Sequence, residues 1–441
     1  ELKRMKRFEH LSALIECSSG VAPTVETVKR YLDILSAMGY DRLYLGLADA
    51  YKIKEEPYFN YKRGGYTTAD LQEMDAHAKK CGVELIAQLH TLSHLHFLRK
   101  YPEYADMFDT DNILMVGDDR VYRLIEHMVK AISEGLSSRR IHIGLDEAFG
   151  IGTGDYLKRY GPADKKELIL RHLQRVFPIL KKYGYTCELW GDMLIETDNT
   201  SVTAQEVKKC IPDDALVFLW DYMENDEEKL LGMIDNMQKY CKHVAFAGGV
   251  WKYIGFGPCN RYSISRIIPQ MKACYKKEIG HYMVTLWSDN VARCSVDAAL
   301  PSLYVAAEYA NGNYDGTGVL DKEKFYNITG VRYDDMLSLD HVDDPLKTNH
   351  GNRSSNSFWA FYTDLLLGNF DLFLTPGIEK AYAARAEEFA ALKGGNYGHV
   401  FAMSESVMRV LAIKAPLPAM IRSAYAEKDK AKAEKAVEEI K

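Results

Sequence analysis

Two neighbouring carboxylates, Asp146 and Glu147, follow an apolar run in the stretch RIHIGLDEAFG (140–150). Two acids this close in a cleft do not both ionise cheaply, so we expect the pKa of one of them to be raised. A carboxylic acid that stays protonated near neutral pH can protonate a glycosidic oxygen. The pair therefore favours general acid catalysis over a cap or an ion pair at the end of a strand.

Aromatic and acidic residues recur at the ends of other β-rich runs. Four of the five tryptophans follow consecutive predicted strands, and they are Trp190, Trp220, Trp251 and Trp287. Aromatic faces stack on the C–H faces of sugar rings. Carboxylates at two further strand ends, Glu16 and Asp289, can accept charge-assisted hydrogen bonds from hydroxyls. We therefore expect a pyranose pocket, with an oligosaccharide or other small molecule as the substrate.

The adjacency of Asp146 and Glu147 also constrains the mechanism. A retaining glycosidase of the usual kind needs two carboxyl groups about 5 Å apart on opposite sides of the scissile bond. Neighbours on one strand are badly placed for that arrangement. A 2-acetamido group on the substrate can attack the anomeric carbon instead, while one acid protonates the leaving group and the other holds the acetamide.

The first three quarters of the chain alternate short β-rich runs with longer amphipathic segments. Eight parallel strands alternating with helices predict a (β/α)8 barrel over residues 1–330, with function at the carboxyl ends of the strands. The alternative is an open doubly wound sheet, but no phosphate-binding glycine pattern follows the first strand. The predicted strands are residues 11–17, 42–49, 83–90, 141–147, 186–192, 215–222, 243–251 and 281–289.

Threonine and glycine residues mark the expected starts and ends of helices between the strands. The helices predicted at 24–39 and 68–82 each begin at a capping Thr and stop at a Gly. The segment FGIGTGDY (149–156) has GxGxG spacing, but the two acids before it would repel a phosphate. We interpret it as a flexible loop.

From about residue 331 to 441 the strand signal fades, which predicts a C-terminal helical region. Helices are expected at 357–370, 377–395 and 424–441. This region is a candidate homodimer surface.

Composition excludes several classes of function. The net charge of -6 has mixed signs and no basic patch, so no nucleic-acid partner is expected. No apolar run is long enough to span a membrane. The eight cysteines form no CxxC pair, and we expect a cytoplasmic protein with no metal and no cofactor. A secreted or cell-surface location stays open, because the chain begins at Glu1.

Several stretches resemble glycoside hydrolase family 20, the β-N-acetylhexosaminidases. HIGLDE (His142–Glu147) resembles the signature H-x-G-x-D-E at the end of the fourth strand. GGYTTADL (Gly64–Leu71) resembles G-x-Y-T-x-x-D-I, and QLHTLSH (Gln88–His94) keeps the final histidine of E-I-D-x-P-G-H. LWSD (Leu286–Asp289) resembles W-[ST]-E. The resemblance covers residues 10 to 310.

The resemblance implies an exo-acting retaining enzyme that removes terminal β-linked GlcNAc or GalNAc through an oxazolinium-type intermediate. By position, Glu147 would be the general acid/base, and Asp146 would orient the acetamide. The sugar would be enclosed by Trp190, Trp220 and Trp287, while Asp289 would bind its O4/O6 side. The tyrosine on the acetamido carbonyl would be Tyr222 or Tyr253, and His94 and His142 would belong to the substrate site.

Two departures from the family pattern concern the hydroxyl contacts. The family's first strand carries D-x-S-R, whereas ECSSG (16–20) offers Glu16 and no arginine. The seventh strand ends in WKYIG (251–255), with Trp251 or Tyr253 and no acid. An enzyme that tolerates both the gluco and galacto epimers is compatible with these changes.

Two rival functions remain open at this stage. A metal-dependent barrel hydrolase could use the strand-end residues His90, His94, His96, His142 and Asp146 as ligands. A carbohydrate-binding protein without turnover would also explain the tryptophan rim, although it would not need the acid pair.

Overall fold

A computed structural model describes residues 6–18, 22–195, 200–289, 293–348, 351–371 and 374–440. The chain divides into two compact units. The barrel unit comprises Glu1–Gly249, Arg266–Thr285 and Ala306–Gly316. The second unit comprises Val250–Ser265, Leu286–Val305 and Thr317–Lys441.

Eight parallel strands close into a barrel in chain order, so the predicted (β/α)8 architecture is confirmed. The strands are almost completely buried, as expected when helices cover the outer face of a parallel sheet. Their bounds are β1 His10–Glu16, β2 Arg42–Gly46, β3 Glu84–Gln88, β4 Arg140–His142, β5 Thr186–Trp190, β6 Leu216–Trp220, β7 His243–Gly249 and β8 His281–Leu286.

Helices follow each strand and then continue alone to the end of the chain. From the first strand to the last, they are α1 Val25–Met38, α2 Thr68–Cys81, α3 Pro102–Ala105, α4 Asp119–Gly135, α5 Asp155–Tyr160, α6 Lys165–Lys182, α7 Asp192–Ile195, α8 Ala204–Cys210, α9 Glu227–Met237 and α10 Asn260–Lys276. After β8 come α11 Leu300–Ala310, α12 Lys322–Thr329, α13 Tyr333–Leu337, α14 Asn356–Tyr362, α15 Ile378–Ala390, α16 Gly398–Lys414, α17 Leu417–Glu427 and α18 Lys430–Ile440.

Local sequence explains where the first two barrel helices start. Thr24 caps α1 through its side chain, and Gly39 ends that helix in the left-handed conformation. In α2 the cap is Thr67, one residue earlier than predicted, because its hydroxyl and Asp70 form a reciprocal capping box.

The predicted strands extend too far at their carboxyl ends, most clearly in β4. This strand stops at His142, four residues before the acid pair, so the prediction that it ends in Asp146 and Glu147 is wrong. Positive φ angles at Gly144 (74°), Leu145 (85°) and Glu147 (53°) turn the backbone out of the extended conformation. The acids therefore lie on a loop that is bent immediately after the strand.

A polar cluster occupies the interior of the barrel. The Glu188 side chain on β5 is fully buried, and it accepts a 2.7 Å hydrogen bond from the Tyr44 hydroxyl on β2. Burial raises the pKa of this carboxyl, while the Tyr44 bond and the Arg42 and Arg140 guanidinium groups oppose the rise. Apolar side chains alone therefore do not fill this core.

The second unit contains the C-terminal helices, two of which are shorter than predicted. The helix expected over 357–370 ends at Tyr362, since the Asp364 side chain accepts the backbone N–H groups of Leu366 and Leu367 in a turn. The helix expected over 424–441 is divided at Lys428, whose φ is 53°. The side chain of buried Asp343 accepts hydrogen bonds from the backbone N–H groups of Gly257 and Phe358.

Within the described residues no helix has the length and apolarity to cross a bilayer.

The Tyr44→Phe substitution should lower the free energy of unfolding by about 1–3 kcal/mol, because it removes a donor from a buried carboxyl group without changing the ring volume. Urea denaturation would measure the change. Tyr275→Phe is the matched control, since that side chain lies half exposed on α10 and should shift the free energy by less than about 0.5 kcal/mol. Equal effects of both substitutions would contradict a stabilising role for the Tyr44–Glu188 bond.

Candidate active site

The loops after β3 and β4 bring His94 against both members of the acid pair. His94 Nε2 lies 3.3 Å from Asp146 Oδ2 and 3.6 Å from Glu147 Oε2. The close approach depends on Gly144, where a Cβ atom would lie 2.7 Å from the Leu89 carbonyl oxygen. The Ser93 hydroxyl also donates a hydrogen bond to the Asp146 carbonyl, which joins the two loops.

Asp146 and Glu147 are adjacent in sequence but lie in different environments. The Asp146 side chain is 15% exposed, whereas that of Glu147 is 47% exposed. Burial alone would raise the pKa of Asp146, but the neighbouring His94 imidazole holds it below its ordinary value. The Asp146 carboxylate therefore stays ionised near neutral pH.

The two oxygens of Asp146 are used differently. Oδ2 faces His94, while Oδ1 is buried and accepts no hydrogen bond from the described residues. His90 Nδ1 lies 4.0 Å from Oδ1. Burial lowers the pKa of His90 to about 4, so that ring is neutral. A buried anionic oxygen of this kind is suited to accept a hydrogen bond from a ligand N–H or O–H group.

Asp192 lies two residues beyond Trp190 and the end of β5. The sequence placed it at the end of the fifth predicted strand but predicted no role for it. Its side chain accepts hydrogen bonds from the Glu147 backbone N–H at 2.8 Å and the Trp220 indole N–H at 3.3 Å. Burial, and then the nearby negative charge of Asp146, raise the pKa of Asp192 to about 7. A raised pKa was expected for one member of the Asp146–Glu147 pair; the pKa of Asp146 is lowered, and the expectation for Glu147 stays a prediction.

The aromatic residues of the barrel unit lie at two depths. Trp190 is 1% exposed and packs against His142, with ring centroids 4.4 Å apart. His142 is itself fully buried, and its Nδ1 accepts the Gly144 N–H, so it supports Trp190 and the loop from below. Trp220 is only partly buried and stacks on Tyr222, with ring centroids 5.4 Å apart. Trp220 and Tyr222 therefore supply the accessible aromatic surface in this part of the unit.

Glu16 lies at the end of β1, where it accepts a 2.8 Å hydrogen bond from the Ser18 hydroxyl. The first strand lacks an arginine, but Arg63 reaches this loop from the β2–α2 connection and donates to the Ser18 carbonyl. Arg63 Nε also lies 2.8 Å from a carboxylate oxygen of buried Asp49. No local pattern in the sequence pointed to this arginine, because it lies more than 40 positions from Glu16.

The glycine-rich segment after the acid pair surrounds an internal carboxylate. Asp109 accepts the backbone N–H groups of Gly152, Gly154 and Tyr156 at 2.6 to 3.1 Å. These bonds anchor the loop to Asp109, and its flexibility stays a prediction. The GxGxG spacing does bind an anion, but that anion is a side chain of the same chain.

Four residues predicted for the site belong to the second unit. Trp251 stacks on Tyr253 with ring centroids 4.7 Å apart, and the Arg353 guanidinium lies 4.4 Å from the Trp251 ring. Lys252 Nζ donates to the Trp287 carbonyl at 3.2 Å. Asp289 is exposed. The assignment of Trp251, Tyr253, Trp287 and Asp289 to the sugar site stays a prediction.

The histidines considered as metal ligands differ in how exposed they are. His96 is exposed on a short 3-10 helix, while His142 is buried beneath Trp190. In the part of the chain that the structure describes, no three donor atoms from His90, His94, His96, His142 and Asp146 lie mutually within 4.8 Å. The described geometry therefore provides no ligand set for the rival metal-dependent function.

Two family models match this chain. The model of the glycosyl hydrolase family 20 catalytic domain matches residues 21–235, and that of the Glycoside Hydrolase 20C C-terminal domain matches residues 334–441. Human Hexosaminidase D is 22% identical over 230 residues, which are 50% of this chain and 46% of that protein. The chain thus spans about half the length of this curated relative.

Solved structures share the fold at low sequence identity. Flavobacterium johnsoniae chitobiase has a TM-score of 0.56 and 14% identity, with 98% of this chain and 75% of that chain covered. The β-N-acetylhexosaminidase of Bacteroides fragilis has a TM-score of 0.55 and 16% identity, with 73% and 69% covered. Streptomyces plicatus N-acetyl-β-hexosaminidase has a TM-score of 0.54 and 16% identity, with 74% and 70% covered.

The Asp192→Asn substitution should change the pH dependence of stability. The pKa of Asp192 is about 7 in the folded state and about 3.9 in unfolded chains, so its stabilising contribution is complete below about pH 4 and is lost as pH rises through 7. Asn does not ionise, and therefore the free energy of unfolding of the variant minus that of the wild type should increase from pH 5 to 8. Urea denaturation at several pH values measures this difference.

The matched control for this experiment is Asp164→Asn. Asp164 caps α6, Asn is an equally good cap, and the pKa of Asp164 lies below its ordinary value despite partial desolvation. The free energy of unfolding of Asp164→Asn minus that of the wild type should therefore be constant from pH 5 to 8. A flat difference for Asp192→Asn as well would contradict a raised pKa for Asp192.

Proposed function

Because this chain belongs to glycoside hydrolase family 20, we propose that it is an exo-acting, retaining β-N-acetylhexosaminidase. The substrate is a glycan with a terminal β-linked GlcNAc or GalNAc residue. The 2-acetamido group of that sugar serves as the nucleophile. No second carboxylate is then required on the opposite face of the sugar.

The contrast between Asp146 and Glu147 is the observation that carries this proposal. The Asp146 side chain is mostly buried and held ionised beside His94, and one of its oxygens is fully buried and accepts no hydrogen bond from the described residues. That oxygen is suited to the acetamide N–H, whose positive charge grows as the ring closes. Glu147 is more exposed, so its carboxyl group can reach a leaving group at the entrance of the site.

In the first step, the Glu147 carboxylic acid transfers its proton to the glycosidic oxygen. The acetamido carbonyl oxygen attacks the anomeric carbon, and the electron pair of the broken C–O bond stays on the departing alcohol. An oxazolinium ion forms. The Asp146 carboxylate holds the acetamide N–H in the reactive orientation and offsets the positive charge.

In the second step, the Glu147 carboxylate removes a proton from water, and that water attacks the anomeric carbon from the face that the alcohol left. The bond from the anomeric carbon to the acetamido oxygen breaks, which restores the acetamide. Two inversions at one carbon give net retention. Glu147 recovers its proton and is ready for the next cycle.

Supporting contacts fix the positions of these groups. Asp192 binds the backbone N–H of Glu147 and the indole N–H of Trp220, so it connects the acid/base to an aromatic wall of the site. Partly exposed Trp220 is suited to stack on the C–H face of the sugar, whereas Trp190 is buried against His142 and Phe218.

Activity towards three aryl glycosides tests the proposed function. The enzyme should hydrolyse aryl β-GlcNAc and aryl β-GalNAc within about tenfold of each other, since the usual first-strand arginine is missing and the hydroxyl contacts are altered. It should hydrolyse aryl β-glucoside at least about 100-fold more slowly, because that substrate has no acetamide. Initial rates by aryl release measure the ratios. Comparable hydrolysis of the glucoside would overturn the proposal.

Substitutions at the acid pair separate the two roles. Glu147→Gln should lower kcat/KM by about 100-fold or more for substrates with poor leaving groups and much less for an activated aryl substrate, because only the former need protonation. Asp146→Asn should lower kcat by about 100-fold or more on every acetamido substrate, because it removes the charge that stabilises ring closure. A similar small loss for both variants on all leaving groups would contradict the assigned roles.

A further inference from the structure

A second cluster of reactive side chains lies on the outer surface of the barrel unit, where α1 packs beside α2. Asp33 on α1 faces His77 and Cys81 on α2. His77 Nε2 lies 2.8 Å from Asp33 Oδ1, and Cys81 Sγ lies 3.2 Å from the same oxygen. One donor atom from each of the three residues lies within 4.8 Å of the other two. Among the described residues, this is the one group of three or more His, Cys, Asp or Glu side chains whose donor atoms lie this close together.

The arrangement follows from helix geometry. His77 and Cys81 are four residues apart on α2, so their side chains point to the same side of that helix. Asp33 approaches from a different helix, and an ion held by all three would therefore link α1 to α2. Cys81 is the last residue of α2, which places the cluster towards the amino ends of the strands, opposite the loop that carries Asp146 and Glu147.

The donor types favour a particular class of ion. A thiolate, an imidazole and a carboxylate are the ligands that Zn²⁺ uses in proteins, whereas Mg²⁺ and Ca²⁺ prefer oxygen donors alone. Tetrahedral zinc with bonds of about 2.0–2.3 Å separates its ligand atoms by roughly 3.3–3.6 Å. The observed separations of 2.8 Å (His77 Nε2 to Asp33 Oδ1) and 3.2 Å (Cys81 Sγ to Asp33 Oδ1) lie a few tenths of an ångström below this range, and the third pair of donor atoms lies within 4.8 Å.

A lysine close to the cluster is engaged by other carboxylates. Lys29, one turn before Asp33 on α1, forms ion pairs with Glu73 at 2.9 Å and Glu26 at 3.2 Å. Asp33 is 61% exposed and His77 is 23% exposed, so an ion can enter from solvent and keep water in the fourth position.

We propose that Asp33, His77 and Cys81 form a surface site for one Zn²⁺ ion, with three protein ligands and one solvent ligand. The ion joins α1 to α2 on the outside of the barrel. It takes no part in the proposed hydrolysis, so loss of the ion leaves glycosidase activity unchanged.

Cobalt titration of the purified, chelator-treated full chain tests the site. The wild type should bind one Co²⁺ per chain with a thiolate-to-cobalt charge-transfer absorption, and added Zn²⁺ should displace it. Cys81→Ser should abolish this absorption, and His77→Ala should weaken Co²⁺ binding by at least about tenfold. Zn²⁺ should raise the Tm of the wild type but not that of Cys81→Ser.

Cys210→Ser is the matched control, because Cys210 is a partly exposed cysteine on α8, outside the cluster. That variant should keep the stoichiometry, the absorption and the Tm response of the wild type. Absence of saturable Co²⁺ binding, or an absorption that survives Cys81→Ser, would overturn the proposal. A failed titration would not affect the proposed hydrolase function, which is measured by aryl release.

Discussion

The contact between His94 and Asp146 is the interaction on which the rest of the site depends. A buried carboxylate would ordinarily be neutral near pH 7, because desolvation penalises the charged form. His94, at 3.3 Å, reverses that preference and keeps Asp146 anionic. The contact requires the loops after β3 and β4 to meet closely, which in turn requires a glycine at position 144.

The charge on Asp146 affects the pKa of Asp192, which lies just after the next strand, β5. Its negative charge, added to burial, raises the pKa of Asp192. Asp192 nevertheless accepts hydrogen bonds from the Glu147 backbone and the Trp220 indole, so one carboxyl group connects both residues. The three acids thus differ in electrostatic character because their surroundings differ: Asp146 is held ionised, Glu147 is exposed, and Asp192 has a raised pKa and binds backbone and indole N–H groups.

Local patterns in the sequence were sufficient to predict the barrel. The eight β-rich runs became eight strands, and capping residues such as Thr24 and Gly39 marked helix ends correctly, because periodicity and caps act over a few neighbouring residues. The electrostatics of the site could not be predicted in the same way. Whether Asp146 is protonated depends on His94, which lies 52 positions away, and Asp192 gained its role only through contacts made after folding. The bent loop at Leu145, whose φ is 85°, likewise had no signal in an apolar run that resembles a strand.

The central claim is that ionised Asp146 stabilises a positive acetamide-derived ring. A cyclic thiazoline analogue of the oxazolinium intermediate tests it most directly, with affinities measured by calorimetry for the wild type and for Asp146→Asn. The account predicts that the wild type binds the analogue at least about 100-fold more tightly than free GlcNAc, as expected for a mimic of the transition state. It also predicts that Asp146→Asn loses most of this preference. Equal affinities of the wild type for the analogue and the free sugar would contradict the claim.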